Sequence, residues 1–577
     1  MRKIAKTLVA TLAMPALVGC GAAEQPVEPA VEPEPAAEES DVNAEARALL
    51  EQYNEELAEL EKKANLAYWK AANSGKKEDF EAYAEADLAL EKLHSDSDRF
   101  ARIEELRGAE GLDPLVERSL ETAYLAFKGN QLPDDLLEKM VKKSAAIEEK
   151  FNTFRAELDG EKKSNNDLLK MLAECDKSKR RREIWKALKQ VGAEVGPMIV
   201  DLAGLRNEAA GQLGYDNFWQ MRIDLQEHDP QQLMAVFAEL EELTDGPFSE
   251  MKAELDAELA ERFGIEADQM MPWHYDNPFF QAAPPSAAVN LDEFYEDKKK
   301  EDIVEIAKTF YADIGLPIEG ILARSDLYER EGKHQHAFCI SIDRSGDVRT
   351  LLNIQPDAKW MDTILHEEGH AVYDLHIDQD LPYNLREMAH IFTTEAVAML
   401  FGALAKNPTW MVGYAGADEE RVAEVEEAIY EQRRREQLIF ARWTMVMLHF
   451  EKAMYENPER DLDALWWDNV ERFQMLERPP DRDAPDWAAK PHFTIAPVYY
   501  HNYQLGELFA AQLRDKLVEL AGHEGPARTL SFNGRREFGK FFKEQVFAPG
   551  RSIPWPEFVE QCTGQPLTAE FFAREVK

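Results

Sequence analysis

Apolar residues recur three and four positions apart over most of this chain, and the period sets in at about Asn43. The stretch AEARALLEQYNEELAELEKKANLAYWKAA is representative, and similar windows run to near Trp185, so the first third is expected to be helical. Period-two alternation is scarce. Its clearest instance is HAFCISI (336–342) and VRTLLNI (348–354), joined by Asp343-Arg344-Ser345-Gly346-Asp347, which predicts a β-hairpin. Two Pro-rich passages, MPWHYDNPFFQAAPPSAA (271–288) and ERPPDRDAPDWAAKPHF (477–493), interrupt the helices. Both carry aromatic residues, which marks them as ordered loops bordering a cleft rather than linkers. There is no internal repeat, and no apolar run of about 18 residues that would make a membrane span. The fold class expected is all-α, with a small hairpin close to the chemistry.

The first twenty residues depart from this pattern. In MRKIAKTLVATLAMPALVGC, Arg2, Lys3 and Lys6 precede a short apolar stretch, the layout of a secretory leader. Leu17-Val18-Gly19-Cys20 resembles a lipobox, which makes residues 1–19 a lipoprotein signal peptide and Cys20 the lipidated residue; an ordinary signal peptide is the alternative. Residues 20–42, rich in Pro, Glu and Ala, read as an extended tether, and residues 43–577 as the folded domain. Gly21 stands where an inner-membrane retention aspartate would sit, so the expected location is the outer membrane, facing the periplasm.

With 577 residues and 45% hydrophobic content the chain can bury a large core. Its formal charge is −43, and −46 once residues 1–19, with three basic and no acidic residues, are removed. That field excludes nucleic acid and anionic lipid surfaces as partners and leaves membrane contact to the lipid anchor. Cys175, Cys339 and Cys562 are scattered and odd in number, so no disulfide framework is expected. The basic clusters Lys179-Arg180-Arg181-Arg182 and Arg433-Arg434-Arg435 read as solvated helix faces with local ion pairs.

The chemistry concentrates in His366-Glu367-Glu368-Gly369-His370. Residues i and i+4 share a helix face, so His366 and His370 can meet one metal ion, with Glu367 as general base toward the attacking water. A catalytic zinc site needs a third protein ligand. Glu395, 25 residues on in IFTTEAVAMLFGAL, is the candidate, carried by a helix that folds back across the first. His376 and His390 lie nearby without better spacing. Glu368, on another face, reads as a solvated or supporting carboxylate. The alternative is two histidines that happen to lie a turn apart. The pattern points to hydrolysis assisted by one zinc ion (Zn2+).

HEEGH with LPYNLRE and the glutamate of TTEA, LWWDNVERFQMLERPP, Lys490-Pro491-His492 and PWPEFVEQCTGQP stand in an order that resembles the peptidyl-dipeptidase A family, the angiotensin-converting-enzyme group of gluzincins, over nearly all of 43–577. The resemblance implies a two-lobed helical ellipsoid around a deep cleft, acting on short peptides to release C-terminal dipeptides. It implies that His366, His370 and Glu395 are zinc ligands and Glu367 the base. It implies that His336 contacts substrate near the scissile bond, that His492 stabilises the transition state and that Tyr503 donates to the oxyanion. Gln281, Lys490 and Tyr500 would grip the free C-terminal carboxylate.

The sequence also departs from that pattern. The His370–Glu395 and His492–Tyr503 intervals are each one residue longer, the former matching the thimet-oligopeptidase family. Asn502 replaces a chloride-binding arginine, and Met399 an aspartate that orients a zinc histidine. GKHQHAFC and YYHNYQLGELFAA also resemble thimet oligopeptidases, so internal cleavage of short peptides stays open beside dipeptide release, as does a catalytically silent binding protein of the envelope.

Overall fold

The amphipathic period that opens the domain becomes a 34-residue helix, Asp41–Ser74, paired with a second, Lys77–His94. In the computed structural model, which describes residues 41–577 apart from Ala287 and Asp481, helices dominate throughout. The expected signal peptide, the lipidated Cys20 and all but the last two residues of the tether lie outside the described residues. Asp41 and Val42, assigned to the tether from sequence, belong to the first helix.

The fold is all-α, as expected, with two small two-stranded sheets. The hairpin foreseen before the HEEGH segment is present: β3 (Phe338–Ser341) pairs antiparallel with β4 (Val348–Leu351). A second hairpin, β1 (Ala156–Leu158) with β2 (Glu161–Lys163), was not foreseen. Its turn is Asp159-Gly160, both at positive φ (58° and 76°), the dipeptide that suits a primed two-residue turn. The flanking Ala, Glu, Leu and Lys are helix formers and concealed it.

One large core carries most of the buried apolar side chains, with satellite clusters beneath the N-terminal helices and under the β1–β2 hairpin. No helix among the described residues is long and apolar enough to cross a membrane. Cys175, Cys339 and Cys562 are free thiols.

The basic clusters correct a sequence expectation. Arg180 pairs with Asp159 and Glu183 at the surface, as anticipated. Arg181 is fully buried instead. Its guanidinium donates to the carbonyls of Trp273 (2.7 Å), Leu172 (2.5 Å) and Cys175 (2.8 Å) and to Asp276 Oδ1 (2.8 Å). Arg434 donates to Val576 O, and Arg435 pairs with Glu258 and Glu431. Arg181 ties the helix Ser178–Leu188 to the Pro-rich passage that leads to Gln281, so its helix period hides a tertiary anchor. An Arg181→Met variant would remove all four of the guanidinium's hydrogen bonds, leaving Trp273 O without that donor and Asp276 to Arg262 alone. We expect it to lose about 3–5 kcal/mol of unfolding free energy in denaturant titration.

Candidate active site

The HEEGH segment lies in the helix Ala358–Leu375, started by Asp357, whose side chain accepts from Trp360 N. Met361, Ile364, Leu365, Ala371 and Val372 bury one face and turn His366 and His370 toward the helix Ile391–Gly402, which carries Glu395. Nε2 of His366 lies 3.8 Å, and Nε2 of His370 4.0 Å, from Glu395 Oε2.

Two glycines permit this convergence. A Cβ on Gly369 would lie 3.0 Å from the Cα of Ala398 and 3.2 Å from Phe401. A Cβ on Gly506, in the helix Tyr500–Ala521, would lie 3.3 Å from the Cβ of Glu395. Three helices thus touch backbone to backbone around the metal-type cluster.

His370 Nδ1 bonds Thr394 Oγ1 at 2.7 Å, which aims its Nε2 at Glu395. Met399 lines the cavity beside His366. Asp362, one turn before His366, supplies the neighbouring negative charge in its place.

Burial governs the electrostatics. It pulls both histidines below their usual pKa, that of His370 strongly. It pushes Glu367 up to about 8, with Glu395 and Glu368 adding, while the backbone N–H of Cys339 on β3 opposes the rise. Glu395 rises to about 7, first through burial and then through Glu507. Neutral imidazoles beside carboxyls that resist ionising form a set whose logic a divalent cation inverts. The nitrogen–nitrogen–oxygen donors, all within 4.8 Å of one another, fit zinc.

Of the two readings of Glu368, solvated or supporting, the structure removes the first. Glu368 is fully buried, and Thr350 Oγ1 donates to its Oε1 at 2.8 Å, so it joins β4 to the motif helix.

The Pro-rich passages meet at the other predicted group. Lys490 Nζ donates to Gln281 Oε1 at 2.6 Å and lies 5.2 Å from the Tyr500 ring centre. Burial pulls Lys490 down to about 7 and pushes Tyr500 up to about 12. The His492 ring is 4.9 Å from Tyr500, and burial, then the Lys490 charge, lowers its pKa to about 4.

Tyr503 lies one turn from Tyr500, with rings 5.4 Å apart, and Glu395 raises its pKa after burial does. Tyr503, rather than Tyr500, therefore stands on the Glu395 side. Tyr499 does so too, its ring 5.1 Å from Tyr503 and its pKa raised by burial and then by Glu395. Sequence reasoning missed Tyr499; its signal was the i, i+4 spacing to Tyr503.

His336 is exposed at the entry to β3, its ring 5.7 Å from that of His334, and makes no hydrogen bond with the cluster. Asn502 is committed elsewhere: its amide donates to Gln226 Oε1 at 2.8 Å, and its Oδ1 faces His228 Nε2 at 3.3 Å.

Fold and site define the class, a helical protein of the HExxH type with two histidines and one carboxylate able to hold a metal ion. The chain belongs to the angiotensin-converting enzyme family of metallopeptidases (peptidase M2), whose family model matches residues 40–571. The angiotensin-converting enzyme of Mesocricetus auratus is 22% identical over 429 residues, 69% of this chain and 32% of that protein. That of Theromyzon tessulatum is 23% identical over 270 residues, 45% of this chain and 44% of that protein. Carboxypeptidase 1 of Bacillus subtilis is 24% identical over 302 residues, 47% of this chain and 56% of that protein. The matched region thus spans about a third of the mammalian relatives' length.

The Gly369 contact yields a test. Helix propensity alone favours alanine over glycine by about 1 kcal/mol. The 3.0 Å approach to Ala398 forces the motif and Glu395 helices apart. We expect Gly369→Ala to destabilise by about 1–3 kcal/mol despite propensity and to weaken zinc affinity roughly 10–100-fold. Thermal unfolding and competition with a chromogenic chelator report the two effects.

Proposed function

We propose that this chain is a zinc-dependent peptidase that releases C-terminal dipeptides from short peptides. The observation that carries the reading is the buried Lys490–Gln281 contact beside Tyr500, in a metallopeptidase whose ligand-type cluster borders the same cavity as Gln281. An ammonium, an amide and a phenol converging on one point suit a free carboxylate. The Bacillus subtilis relative, carboxypeptidase 1, agrees by name with such a substrate end. The lipobox-like Leu17–Cys20 supports attachment of the enzyme to the outer membrane, facing the periplasm.

In this reading His366, His370 and Glu395 hold the zinc, which when bound supplies Lewis-acid polarisation of the scissile carbonyl and the attacking water. Lys490, Gln281 and Tyr500 fix the carboxylate and so the register of the peptide. His336 meets the peptide near the scissile bond. Glu367 takes the proton that water loses as its oxygen bonds the carbonyl carbon. The same carboxyl passes that proton to the departing amine as the C–N bond breaks. Tyr503 and neutral His492 donate hydrogen bonds to the oxygen that gains charge.

Product analysis of one ten-residue peptide tests the reading. Stepwise loss of dipeptides from the free acid, with the C-terminal amide spared, is expected; equal internal cleavage of both forms would replace it with an endo-oligopeptidase. Glu367→Gln should keep one zinc per chain by elemental analysis and lose roughly 10²–10⁴-fold in kcat.

Lys490 adds a pH dependence. Its depressed pKa means that the free protein carries the charge below about 7 and loses it above. Dipeptide binding, measured as competitive inhibition, should therefore weaken as pH rises through about 7. In Lys490→Met that dependence disappears.

A further inference from the structure

Beside the carboxylate-gripping group lies a cavity of about 300 Å³, lined by Gln281, His366 and Phe440, whose ring is 6.3 Å from Tyr503. A peptide whose terminal carboxylate rests on Gln281 and Lys490 has its last side chain at the mouth of this cavity. Asp362, Lys406, Arg433, Glu436 and Glu507 stand on its wall beside the apolar Met399 and Phe440, and their charges are unequally satisfied.

Its carboxylates already have partners. Glu436 receives Lys406 Nζ at 3.0 Å and Gln432 Nε2 at 3.2 Å. Asp362 lies 3.8 Å from the same lysine, and Glu507 accepts from Gln437. Arg433 differs. It lines the cavity, and among the described residues its guanidinium forms no hydrogen bond or close ion pair. It is balanced only at a distance by Glu575, Glu507 and Glu436, and burial followed by Arg514 disfavours its charge. The donor capacity left over on this wall is therefore cationic and suited to a planar carboxylate.

We propose that this cavity receives the side chain of the substrate's C-terminal residue and that Arg433 makes an acidic one, glutamate or aspartate, the preferred class. The inference rests on the dipeptide-release reading. It runs against the net charge of the surface: the acidic exterior favours basic peptides at long range, while the cavity selects a carboxylate at contact.

The test uses zinc-loaded protein and two ten-residue free-acid peptides that differ only in ending with Glu or Gln, with a third ending in Lys. The Glu peptide should lose its dipeptide with kcat/KM roughly tenfold or more above the Gln peptide. In Arg433→Gln the ratio should fall to about one, and Arg433→Lys should restore part of it. Calorimetric binding of Ala-Glu and Ala-Gln should show the same order without turnover. Dipeptide release at equal rates, or a preference for Lys, would overturn the inference and leave the reaction reading intact. Internal cleavage together with an Arg433-dependent Ala-Glu preference would retain the pocket and overturn the reaction. Internal cleavage with no such preference would overturn both.

Discussion

The close crossing of three helices is the constraint on which the site depends. His366 and His370 share a face by helix geometry alone, but Glu395 meets them only because Gly369 lets the Ala358–Leu375 helix reach the backbone at Ala398. Gly506 does the same for Tyr500–Ala521 against Glu395. The second contact carries Tyr499 and Tyr503 to the Glu395 side, and Tyr500 toward Lys490 and His492. The His366–His370–Glu395 cluster, the three tyrosines and Lys490 are therefore coupled through two positions that lack a side chain. Close-packed interiors transmit such steric changes rather than absorbing them.

Burial sets the chemistry within that frame. The chain carries −43 charges, yet the groups that matter are held back from their charged forms: His370 far below its normal range, Glu367 near 8, Lys490 near 7. A bound cation suits the neutral imidazole of His370 and restores the charge of Glu367, and a bound carboxylate restores that of Lys490. The surface charge describes solubility and long-range steering; the buried shifts describe what binds.

Much of this was legible in the sequence because the decisive signals are local. The i, i+4 histidines, the helix-like run around Glu395 and the turn before β4 each occupy a short window, and the structure assembles them as read. Glu368 stays between solvated and supporting in the sequence because helix spacing assigns it a face but not what covers that face, which is β4 with Thr350. Arg181 and Arg433 were read as solvated for a similar reason, since an arginine in a charged helix looks alike whether it meets water, a loop or a cavity. The Asp159-Gly160 turn was concealed by helix-forming neighbours, and Tyr499 by a reading that took the tyrosines as a pair. His336 is the one predicted substrate residue that the fold leaves exposed.

The central claim is that His366, His370 and Glu395 jointly hold one zinc ion at a helix crossing. Zinc K-edge X-ray absorption on the purified protein, beside Glu395→Gln and His370→Ala variants, tests it most directly. The account predicts one zinc per chain with two imidazoles and oxygen in its shell, one imidazole fewer in His370→Ala, and weakened retention in both variants. Sulfur scattering, or an unchanged spectrum in both variants, would contradict it.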